Sequence, residues 1–263
     1  MSLREVFQTC REEQRAALIG YLPAGFPTVA ESKELFGAML TGDGSAGCDI
    51  VEVGVPFSDP VMDGPTVQAA SDKALRAGFR LRDTFEVVSS IAEAGGRAVV
   101  MTYWNPVHRY GVNAFARDLK AAGGLGVITP DLIPDEGEDW IAATDEHGLD
   151  RIFLVAPSST EERLALTAKA TSGFVYATSV MGVTGARDSV GSAAAGLVQR
   201  TRAHTDLPIG VGLGVRSGEQ AAEIAAYADG VIVGSAFVTA AEQRGVAGVR
   251  DLTAELARGV RSR

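Results

Sequence analysis

The segment Asp49-Ile-Val-Glu-Val-Gly-Val-Pro56 is a short apolar run of mainly β-branched residues that ends at a proline. This composition and length are typical of a buried β-strand. Because side chains alternate along a strand, the three valines share one face and Glu52 lies on the other. We expect the valine face to pack against helices, which directs Glu52 toward the inside of the sheet.

Seven more apolar runs occur along the chain, and amphipathic helical patterns separate them. The eight predicted strands cover Ala17–Pro23, Asp49–Pro56, Arg97–Tyr103, Gly124–Pro130, Asp150–Ala156, Gly173–Ser179, Pro208–Leu213 and Gly230–Gly234. Eight strand–helix units without a Pro-rich linker predict one domain over residues 1–263, a (β/α)8 TIM barrel of the α/β class. The alternative is a doubly wound sheet, but Gly210-Val-Gly-Leu-Gly214 lacks the third glycine of the dinucleotide fingerprint, because Ser217 stands there.

Helix signals lie between these runs. Asp83-Thr-Phe-Glu86, Ser158-Ser-Thr-Glu161 and Ser217-Gly-Glu-Gln220 each have the spacing of a capping box. Pro65 suits the first turn of a helix that Gly78 ends. Ahead of the first strand, an additional N-terminal helix across the bottom of the barrel is predicted by one apolar face, formed by Leu3, Val6, Phe7 and Cys10.

The composition excludes several classes of function. A formal net charge of −9 lacks the basic footprint that nucleic acid requires. Cys10 and Cys48 are too few and too far apart for a disulfide framework or a zinc site, and the three histidines are scattered. No stretch approaches a membrane span, and the first residues lack an apolar signal region. We therefore expect a cytoplasmic protein that binds no nucleic acid, no membrane and no metal.

Glu52 is the first candidate catalytic residue. Its strand leads to the C-terminal end of the predicted barrel, where active sites of this fold lie. A carboxyl group walled by apolar side chains has a raised pKa that suits proton transfer near neutral pH. The alternative is a structural acid paired with a buried cation, but no basic partner is evident on the neighbouring strand ends.

The loop Phe57-Ser-Asp-Pro-Val-Met-Asp-Gly-Pro65 follows the strand of Glu52. Its two aspartates, Asp59 and Asp63, both fit the simpler interpretation of turn or helix-cap residues. Asp63 is nevertheless the second catalytic candidate, because its loop leaves the strand of Glu52. Two carboxyl groups in different environments can divide acid and base roles.

Glycine-rich loops follow three adjacent predicted strands. They are Gly182-Val-Thr-Gly185, Gly212-Leu-Gly214 and Gly234-Ser235. Glycines let backbone N–H groups approach an anion, and a helix starting near Ser235 directs its positive end toward it. Turn chemistry alone is the alternative for any single loop. Together the loops predict a phosphate site with a short phosphate-binding helix after the eighth strand.

Three tyrosines are candidates for the walls of the site. Tyr21 and Tyr103 end the first and third predicted strands. Tyr176 has the same strand parity as Phe174, and a tyrosine in such a position is more often core packing than catalysis.

Taken together, these residues resemble the tryptophan synthase alpha chain family over nearly the whole sequence. The most specific match is Val51-Glu-Val-Gly-Val-Pro-Phe-Ser-Asp-Pro60 continuing to Asp63-Gly-Pro-Thr-Val-Gln68. The supporting matches are Tyr21-Leu-Pro-Ala-Gly25, Met101-Thr-Tyr-Trp-Asn-Pro106, Gly182-Val-Thr-Gly185, Gly212-Leu-Gly214 and Val233-Gly-Ser-Ala236. The resemblance implies a lyase that cleaves indole-3-glycerol phosphate to indole and glyceraldehyde 3-phosphate by a retro-aldol step.

The resemblance also implies roles for individual residues. Glu52 matches the general acid–base that protonates the indole carbon bearing the glycerol chain. Asp63 matches the carboxylate that interacts with the indole N–H, and Tyr176 matches a catalytic tyrosine beside the reacting atoms. The implied substrate-binding residues are Tyr21, Tyr103, Thr184, Gly185, Gly214, Gly234 and Ser235. The glycines and Ser235 among them belong to the phosphate site, and Thr184 belongs to a lid.

The same resemblance implies a partner. Family members assemble as α2β2 tetramers with a tryptophan synthase beta chain, which holds pyridoxal phosphate and receives indole through a tunnel. No cofactor is implied for this chain. Two departures stand out: Pro130-Asp-Leu-Ile-Pro134 carries one extra residue, and Trp104 is bulkier than the family pattern. We expect Asp131 to keep its contact with the loop after the second strand.

Three alternatives stay open at this point. Other phosphate-binding barrels of the histidine and tryptophan pathways share the glycine-rich loops, although the spacing from Glu52 to Asp63 argues against them. A subunit retained mainly to bind and activate a beta partner is a second alternative, although the intact catalytic positions argue against it. The third is a stand-alone indole-producing lyase, which would be fast without a partner.

Overall fold

A computed structural model describes residues 2–44, 46–178, 187–212 and 214–262. Within these ranges nine parallel strand segments form one sheet in the order β5-β4-β3-β2-β1-β9-β8-β7-β6. The segments are β1 (Ala17–Pro23), β2 (Ile50–Gly54), β3 (Ala98–Met101), β4 (Gly126–Ile128), β5 (Asp150–Ile152), β6 (Leu154–Val155), β7 (Val175–Thr178), β8 (Ile209–Gly212) and β9 (Gly230–Val233).

The two strands at the ends of this order, β5 and β6, are joined by a single residue, which closes the sheet into a barrel. β5 pairs with β4 and β6 pairs with β7, and only Phe153 separates β5 from β6. The two ends of the strand order are therefore consecutive pieces of the fifth predicted strand. This arrangement confirms the (β/α)8 barrel and excludes the doubly wound sheet, whose edge strands stay apart.

Helices surround this barrel. In the described part of the chain they are α1 (Leu3–Glu12), α2 (Val29–Thr41), α3 (Pro65–Arg76), α4 (Asp83–Glu93), α5 (Trp104–Tyr110), α6 (Val112–Ala121), α7 (Glu138–His147), α8 (Glu161–Ala170), α9 (Arg187–Arg202), α10 (Gly218–Ala225) and α11 (Ser235–Gly259). A short 3-10 turn covers Pro134–Glu136. None of these helices is both long and apolar enough to cross a membrane.

The core divides into an inner and an outer layer, as the alternation along β2 predicts. Val51 and Val53 belong to the outer layer, between the strands and the helices. Ile50 belongs to the inner layer. The inner layer also contains the buried face of α1 and the inward side chains of other strands: Leu3, Val6, Phe7, Cys10, Ala17, Ile19, Val99, Ile128, Ile152, Phe174 and Ile232. The predicted N-terminal helix is thus confirmed, and it fills one end of the barrel so that the site lies at the other.

A buried ion pair joins the start of β1 to the start of β2. The Arg15 guanidinium contacts both carboxylate oxygens of Asp49, at 2.7 and 2.8 Å. Asp49 Oδ2 also accepts a hydrogen bond from the Leu18 backbone N–H at 2.8 Å. The two side chains are only 7% and 13% exposed. This pair fixes the two strands that carry Tyr21 and Glu52 relative to each other.

One of the predicted capping boxes holds in part, and two are wrong. Ser217 caps α10 and accepts from the Gln220 N–H, but the Gln220 side chain accepts from the Arg216 N–H and not from Ser217. Thr160, not Ser158, caps α8. The spacing of a capping box can be matched at several neighbouring positions in the sequence. The actual N-cap is the one residue with extended backbone that directly precedes the helix.

The bounds of α4 and α11 test the remaining helix predictions. Asp83 lies inside the first turn of α4, where its carboxylate accepts from the Arg80 N–H at 2.7 Å, so it is not the predicted N-cap. α11 begins at Ser235, as expected for the phosphate-binding helix. Non-helical backbone at Gly245, where φ is +55°, ends the first helical segment, and a second segment continues to Gly259. Pro65 occupies the first turn of α3, as predicted.

Candidate active site

Glu52 lies on the inner side of β2, between Tyr21 of β1 and Val99 of β3. Only 1% of the residue is exposed. Neither carboxyl oxygen has a hydrogen-bond partner among the described residues. Burial raises the pKa of this group from 4.5 to about 8. The side chain is therefore largely protonated at neutral pH, as a general acid requires.

Two tyrosine side chains, Tyr21 and Tyr176, interact electrostatically with this carboxyl group. A Cβ at Gly54 would stand 2.4 Å from Tyr21 Oη, and a Cβ at Gly212 would stand 2.8 Å from Tyr176 Oη. The pKa values of both tyrosines are raised well above 10, first by burial and then by the negative charges of Glu52 and Asp63. These electrostatic interactions indicate that the side chains of Tyr21, Tyr176, Glu52 and Asp63 surround one space. Both phenols remain protonated and can donate hydrogen bonds.

Asp63 lies in the Asp63 loop, which we define as residues 55–64, between β2 and α3. The side chain is half-buried. Burial raises its pKa, and hydrogen bonding with the Tyr103 hydroxyl opposes that rise. The Gln68 side chain holds the loop from α3 by donating to the Asp63 carbonyl at 2.7 Å. The structure thus brings the second predicted carboxyl group to the space around Glu52.

The positions of Tyr21 and Tyr103 correct the sequence prediction in detail. Tyr21 lies within β1, two residues before its end at Pro23. Tyr103 lies two residues beyond the end of β3 and directly precedes α5. The apolar run that predicted a strand up to Tyr103 continues past the last strand pairing, because the same side chains are buried in the loop. Both tyrosines still line the site.

The residues predicted to bind phosphate lie beside the tyrosines. Gly234 directly follows β9 and precedes α11, and Ser235 is the first residue of that helix. A Cβ at Gly234 would stand 3.5 Å from Tyr21 Cδ1. Gly214 follows β8 with φ of +67°, a conformation that favours glycine. The remaining predicted residues of this group, Thr184 and Gly185, lie outside the described residues.

Several residues near the site were missed by the sequence reasoning. The Phe57 ring packs against Tyr103 with 5.3 Å between centroids. Thr66 and Arg216 line an open cavity of about 500 Å³ that also reaches Ser235. Arg216 carried a signal in the sequence, since it is the cation nearest to Gly214 in a glycine-rich loop. The packing of Phe57 on Tyr103 had no signal in the sequence, because the two residues belong to different loops.

The loop after β4 differs from the expectation for Asp131. Its carboxylate accepts from the Trp104 N–H at 2.8 Å, so the contact runs to the start of α5 and not to the Asp63 loop. The Trp104 ring in turn packs edge-on against the buried Trp140, with 5.8 Å between centroids. Ile133, in the segment with the extra residue, is 42% exposed. Among the described residues, no group of three or more His, Cys, Asp or Glu side chains is arranged to hold a metal ion.

A closed parallel barrel with a buried carboxyl group that has no hydrogen-bond partner in the described part of the chain defines the class: a (β/α)8-barrel enzyme with an acid–base site. The family model for the tryptophan synthase alpha chain matches residues 7–260. The chain belongs to that family.

Relatives of known name agree with this assignment. The tryptophan synthase alpha chain of Nocardia farcinica is 66% identical over 260 residues, covering 99% of this chain and 96% of that protein. A solved structure of Mycobacterium tuberculosis tryptophan synthase is 64% identical, with a TM-score of 0.93 and 98% of each chain covered. The α2β2 tryptophan synthase complex of Pyrococcus furiosus contains a chain that is 34% identical, with a TM-score of 0.83, covering 92% of this chain and 98% of that one.

Family membership confirms the predicted type of activity. The known role of the family is the cleavage of indole-3-glycerol phosphate, a carbon–carbon lyase reaction of tryptophan biosynthesis. The prediction of a lyase is therefore confirmed. The alternative of another phosphate-binding barrel is excluded, because the match covers nearly the whole chain.

Proposed function

We propose that this chain, acting as one domain over residues 1–263, cleaves indole-3-glycerol phosphate with Glu52, Asp63 and Tyr176. The observation that carries the proposal is the state of Glu52. A fully buried carboxyl group without a partner in the described residues is costly to a fold. Its retention on the inner face of a barrel strand, two residues before the C-terminal end of that strand, fits a group that exchanges a proton with substrate.

The reaction follows from the raised pKa of Glu52. Indole is a poor leaving group until the ring carbon that bears the glycerol chain is protonated, and a neutral Glu52 supplies that proton. The resulting carboxylate can then accept the proton of the glycerol hydroxyl next to the breaking bond. The carbon–carbon bond breaks toward the ring as the aldehyde forms, and Glu52 returns to its neutral state.

Asp63 and Tyr176 have complementary roles in this proposal. Protonation of the ring carbon makes the indole nitrogen positive, and the Asp63 carboxylate stabilises that charge through the N–H. Asp63 must be ionised for this role while Glu52 is neutral, and their different surroundings favour this division. The hydroxyl of Tyr176, a half-buried residue, lies beside Gly212 and interacts with the charge of Glu52, and it supplies a donor beside the reacting atoms.

The phosphate group is assigned to the ends of β8 and β9. Gly234 and Ser235 offer backbone N–H groups at the start of α11, where the helix dipole favours an anion. Gly214, which follows β8, is assigned to the same subsite. Tyr21 and Tyr103 form the wall between this subsite and the carboxyl groups. For Thr184 and Gly185 the proposed substrate contacts rest on the sequence alone.

We propose that the chain itself holds no cofactor. Pyridoxal phosphate needs a lysine for its Schiff base. The four lysines of the sequence, Lys33, Lys73, Lys120 and Lys169, all lie on helices outside the barrel. The cofactor is therefore assigned to a beta-chain partner, and the two chains to an α2β2 tetramer like that of Pyrococcus furiosus.

Exposed apolar side chains support a docking face for that partner at the C-terminal end of the barrel. Val61 and Met62 in the Asp63 loop are 75% and 50% exposed, and Ile133 after β4 is 42% exposed. Such side chains favour a protein–protein contact. We place the assembly in the cytoplasm, since both cysteines are buried and unpaired, which suits a reducing compartment.

The test is indole release from indole-3-glycerol phosphate by the purified chain, alone and with its cognate beta chain. We expect slow release that rises strongly with the partner and is lost in Glu52→Gln. Glu34→Gln, an exposed change on α2, is the matched control. Binding of glycerol 3-phosphate should survive in Glu52→Gln, because the phosphate subsite lies on other strands.

The other outcomes separate the alternatives. Fast indole release without the partner would favour a stand-alone lyase. Absence of release in both conditions, while the chain still raises beta-chain activity, would indicate a binding and activating subunit. A folded Glu52→Gln variant with full activity would refute the role proposed for Glu52.

A further inference from the structure

Tyr103 contacts both ends of the Asp63 loop. Its hydroxyl oxygen accepts a hydrogen bond from the Met62 N–H at 3.0 Å, one residue before Asp63. Its ring packs on Phe57 near the start of the loop, with 5.3 Å between centroids. The residue itself is only 4% exposed. A single side chain from the loop after β3 thus contacts the loop after β2 at two points.

We propose that Tyr103 is a positioning residue, which holds the Asp63 loop against the start of α5 and so determines where the Asp63 carboxylate lies. This inference rests on the proposed catalytic role of Asp63. It gives Tyr103 a role beyond lining the pocket. The hydroxyl acts on the reaction through Asp63 and not through a contact with substrate.

The part of the Asp63 loop next to Asp63 needs such a contact because its apolar side chains are exposed, although Val55 at the start of the loop is buried. Val61 is 75% exposed and Met62 is 50% exposed. Burial of apolar side chains is the usual source of loop order. The backbone of the loop is held at its end by Gln68 and before Asp63 by the Tyr103 hydroxyl. Tyr103 can anchor the loop because the next residue, Trp104, is fixed by Asp131.

The hydrogen-bonding capacity of the Tyr103 hydroxyl fits this role. A phenol has one hydrogen to donate and an oxygen that accepts. The Met62 N–H uses the oxygen, so the hydrogen remains for the Asp63 carboxylate. Burial raises the pKa of Asp63, and hydrogen bonding with Tyr103 opposes that rise.

The other titratable groups that face Asp63 do not take over this role. They are Tyr21 of β1 and Tyr176 of β7, whose ionisation the charge of Asp63 opposes, and Glu52 of β2. None of the three is a cation. Among the described residues around the site, the Tyr103 hydroxyl is thus the group that favours the ionised form of Asp63.

The experiment compares Tyr103→Phe with the unmodified chain in complex with its beta chain. The variant keeps the ring that packs on Phe57 and loses only the hydroxyl. We expect kcat for indole formation to fall about ten-fold, as for loss of a hydrogen bond to a charged group. KM and the affinity for glycerol 3-phosphate should stay within about two-fold, since the phosphate subsite is untouched. The acidic limb of the pH profile should move to higher pH.

A second readout does not depend on activity. The carboxyl carbon of Asp63, followed by NMR with labelled aspartate, should titrate at higher pH in Tyr103→Phe than in the unmodified chain. Tyr110→Phe is the matched control, because Tyr110 of α5 also donates to an aspartate, Asp118 at 2.7 Å, on the exposed side of the barrel. That control should change neither the titration of Asp63 nor kcat.

The outcomes are separable from those of the proposed function. An unchanged Asp63 titration and kcat in Tyr103→Phe would overturn the positioning role. In an Asp63→Asn background, Tyr103→Phe should have no additional effect on kcat, and a further ten-fold loss there would also overturn it. Full activity of Asp63→Asn alone would refute the proposed role of Asp63, whereas the NMR titration would still decide whether Tyr103 controls that carboxylate.

Discussion

The hydroxyl of Tyr21 occupies the space that a side chain at Gly54 would need, since a Cβ there would stand 2.4 Å from Tyr21 Oη. The two residues lie on the paired strands β1 and β2. Gly54 is two residues beyond Glu52 and on the same face of the strand. The absence of a side chain at position 54 therefore allows the tyrosine to close the space beyond the buried carboxyl group.

Gly54→Ala should lower kcat/KM for indole formation by at least about ten-fold. The new Cβ must displace the Tyr21 ring, and an error of about 1 Å in a site of this kind costs up to 100-fold. Gly37→Ala is the control, because nothing lies within 4 Å of a Cβ at that position of α2. Steady-state kinetics of both variants, with circular dichroism to check folding, make the measurement. Equal kcat/KM in the two variants would contradict the steric argument.

Glu52 should make the chain less stable as the pH rises. Its folded-state pKa of about 8 lies above the ordinary 4.5, so its contribution to stability is complete below pH 4.5 and is lost as the pH rises through 8. Each pKa unit corresponds to about 1.4 kcal/mol, which amounts to a loss of a few kcal/mol across this window.

Urea unfolding at pH 5 and pH 9 measures the effect. The free energy of unfolding should fall more between these values in the unmodified chain than in Glu52→Gln, whose side chain does not titrate. The difference between the two chains removes the contribution of all other groups. A pH dependence that is the same in both would show that Glu52 titrates normally.

The Arg15–Asp49 pair should contribute strongly to stability. Asp49→Asn leaves the buried Arg15 guanidinium with only one carboxylate partner, the half-exposed Glu13 at 2.6 Å. Breaking a buried pair costs up to roughly 3 kcal/mol. Asp72→Asn is the control, because the Arg76–Asp72 pair on α3 is 80% and 56% exposed. Loss of an exposed pair costs at most about 1 kcal/mol. Urea unfolding midpoints of the two variants should differ clearly, and similar midpoints would contradict a structural role for the buried pair.

Gly234 should distinguish a small side chain from a branched one. A Cβ at this position makes only an ordinary contact with Tyr21, at 3.5 Å. Gly234→Ala should therefore retain affinity for glycerol 3-phosphate within a few-fold. The additional carbons of Gly234→Val should block the approach of an anion to the start of α11 and weaken binding at least about ten-fold. Calorimetric titration of both variants tests the assignment, and unchanged affinity in Gly234→Val would move the phosphate subsite elsewhere.

The strands were predictable because their signal is local. The run that contains Glu52 alternates between the two layers of the core, and Val51 and Ile50 lie in the outer and inner layers as the pattern requires. β1 matches its predicted bounds. Boundaries that depend on pairing were less predictable. The fifth strand is interrupted at Phe153, and the strand expected to reach Tyr103 ends at Met101, because loop residues are as apolar and as buried as strand residues.

The candidate site likewise divides into residues that local sequence predicts and contacts that depend on the tertiary structure. Glu52, Asp63 and Gly234 could be selected from motifs, since each is defined by its neighbours in the sequence. The contact partner of Asp131 was wrong, because it was transferred from a family pattern that lacks the extra residue of this loop. The interaction of Tyr103 with the Asp63 loop had no sequence signal at all, since Met62 and Tyr103 are 41 residues apart.

By itself, the sequence determined the barrel, because strand alternation follows from steric rules within a few residues. Its resemblance to a known family gave the family and the two carboxyl groups proposed for catalysis. Only the tertiary structure decided the protonation state of Glu52 and the hold of Tyr103 on the loop of Asp63. A pKa depends on the solvent and charges that surround a group in space, and a hydrogen bond depends on two atoms meeting at about 3 Å. Both are set when separate strands come together and not by the order of residues along any one of them.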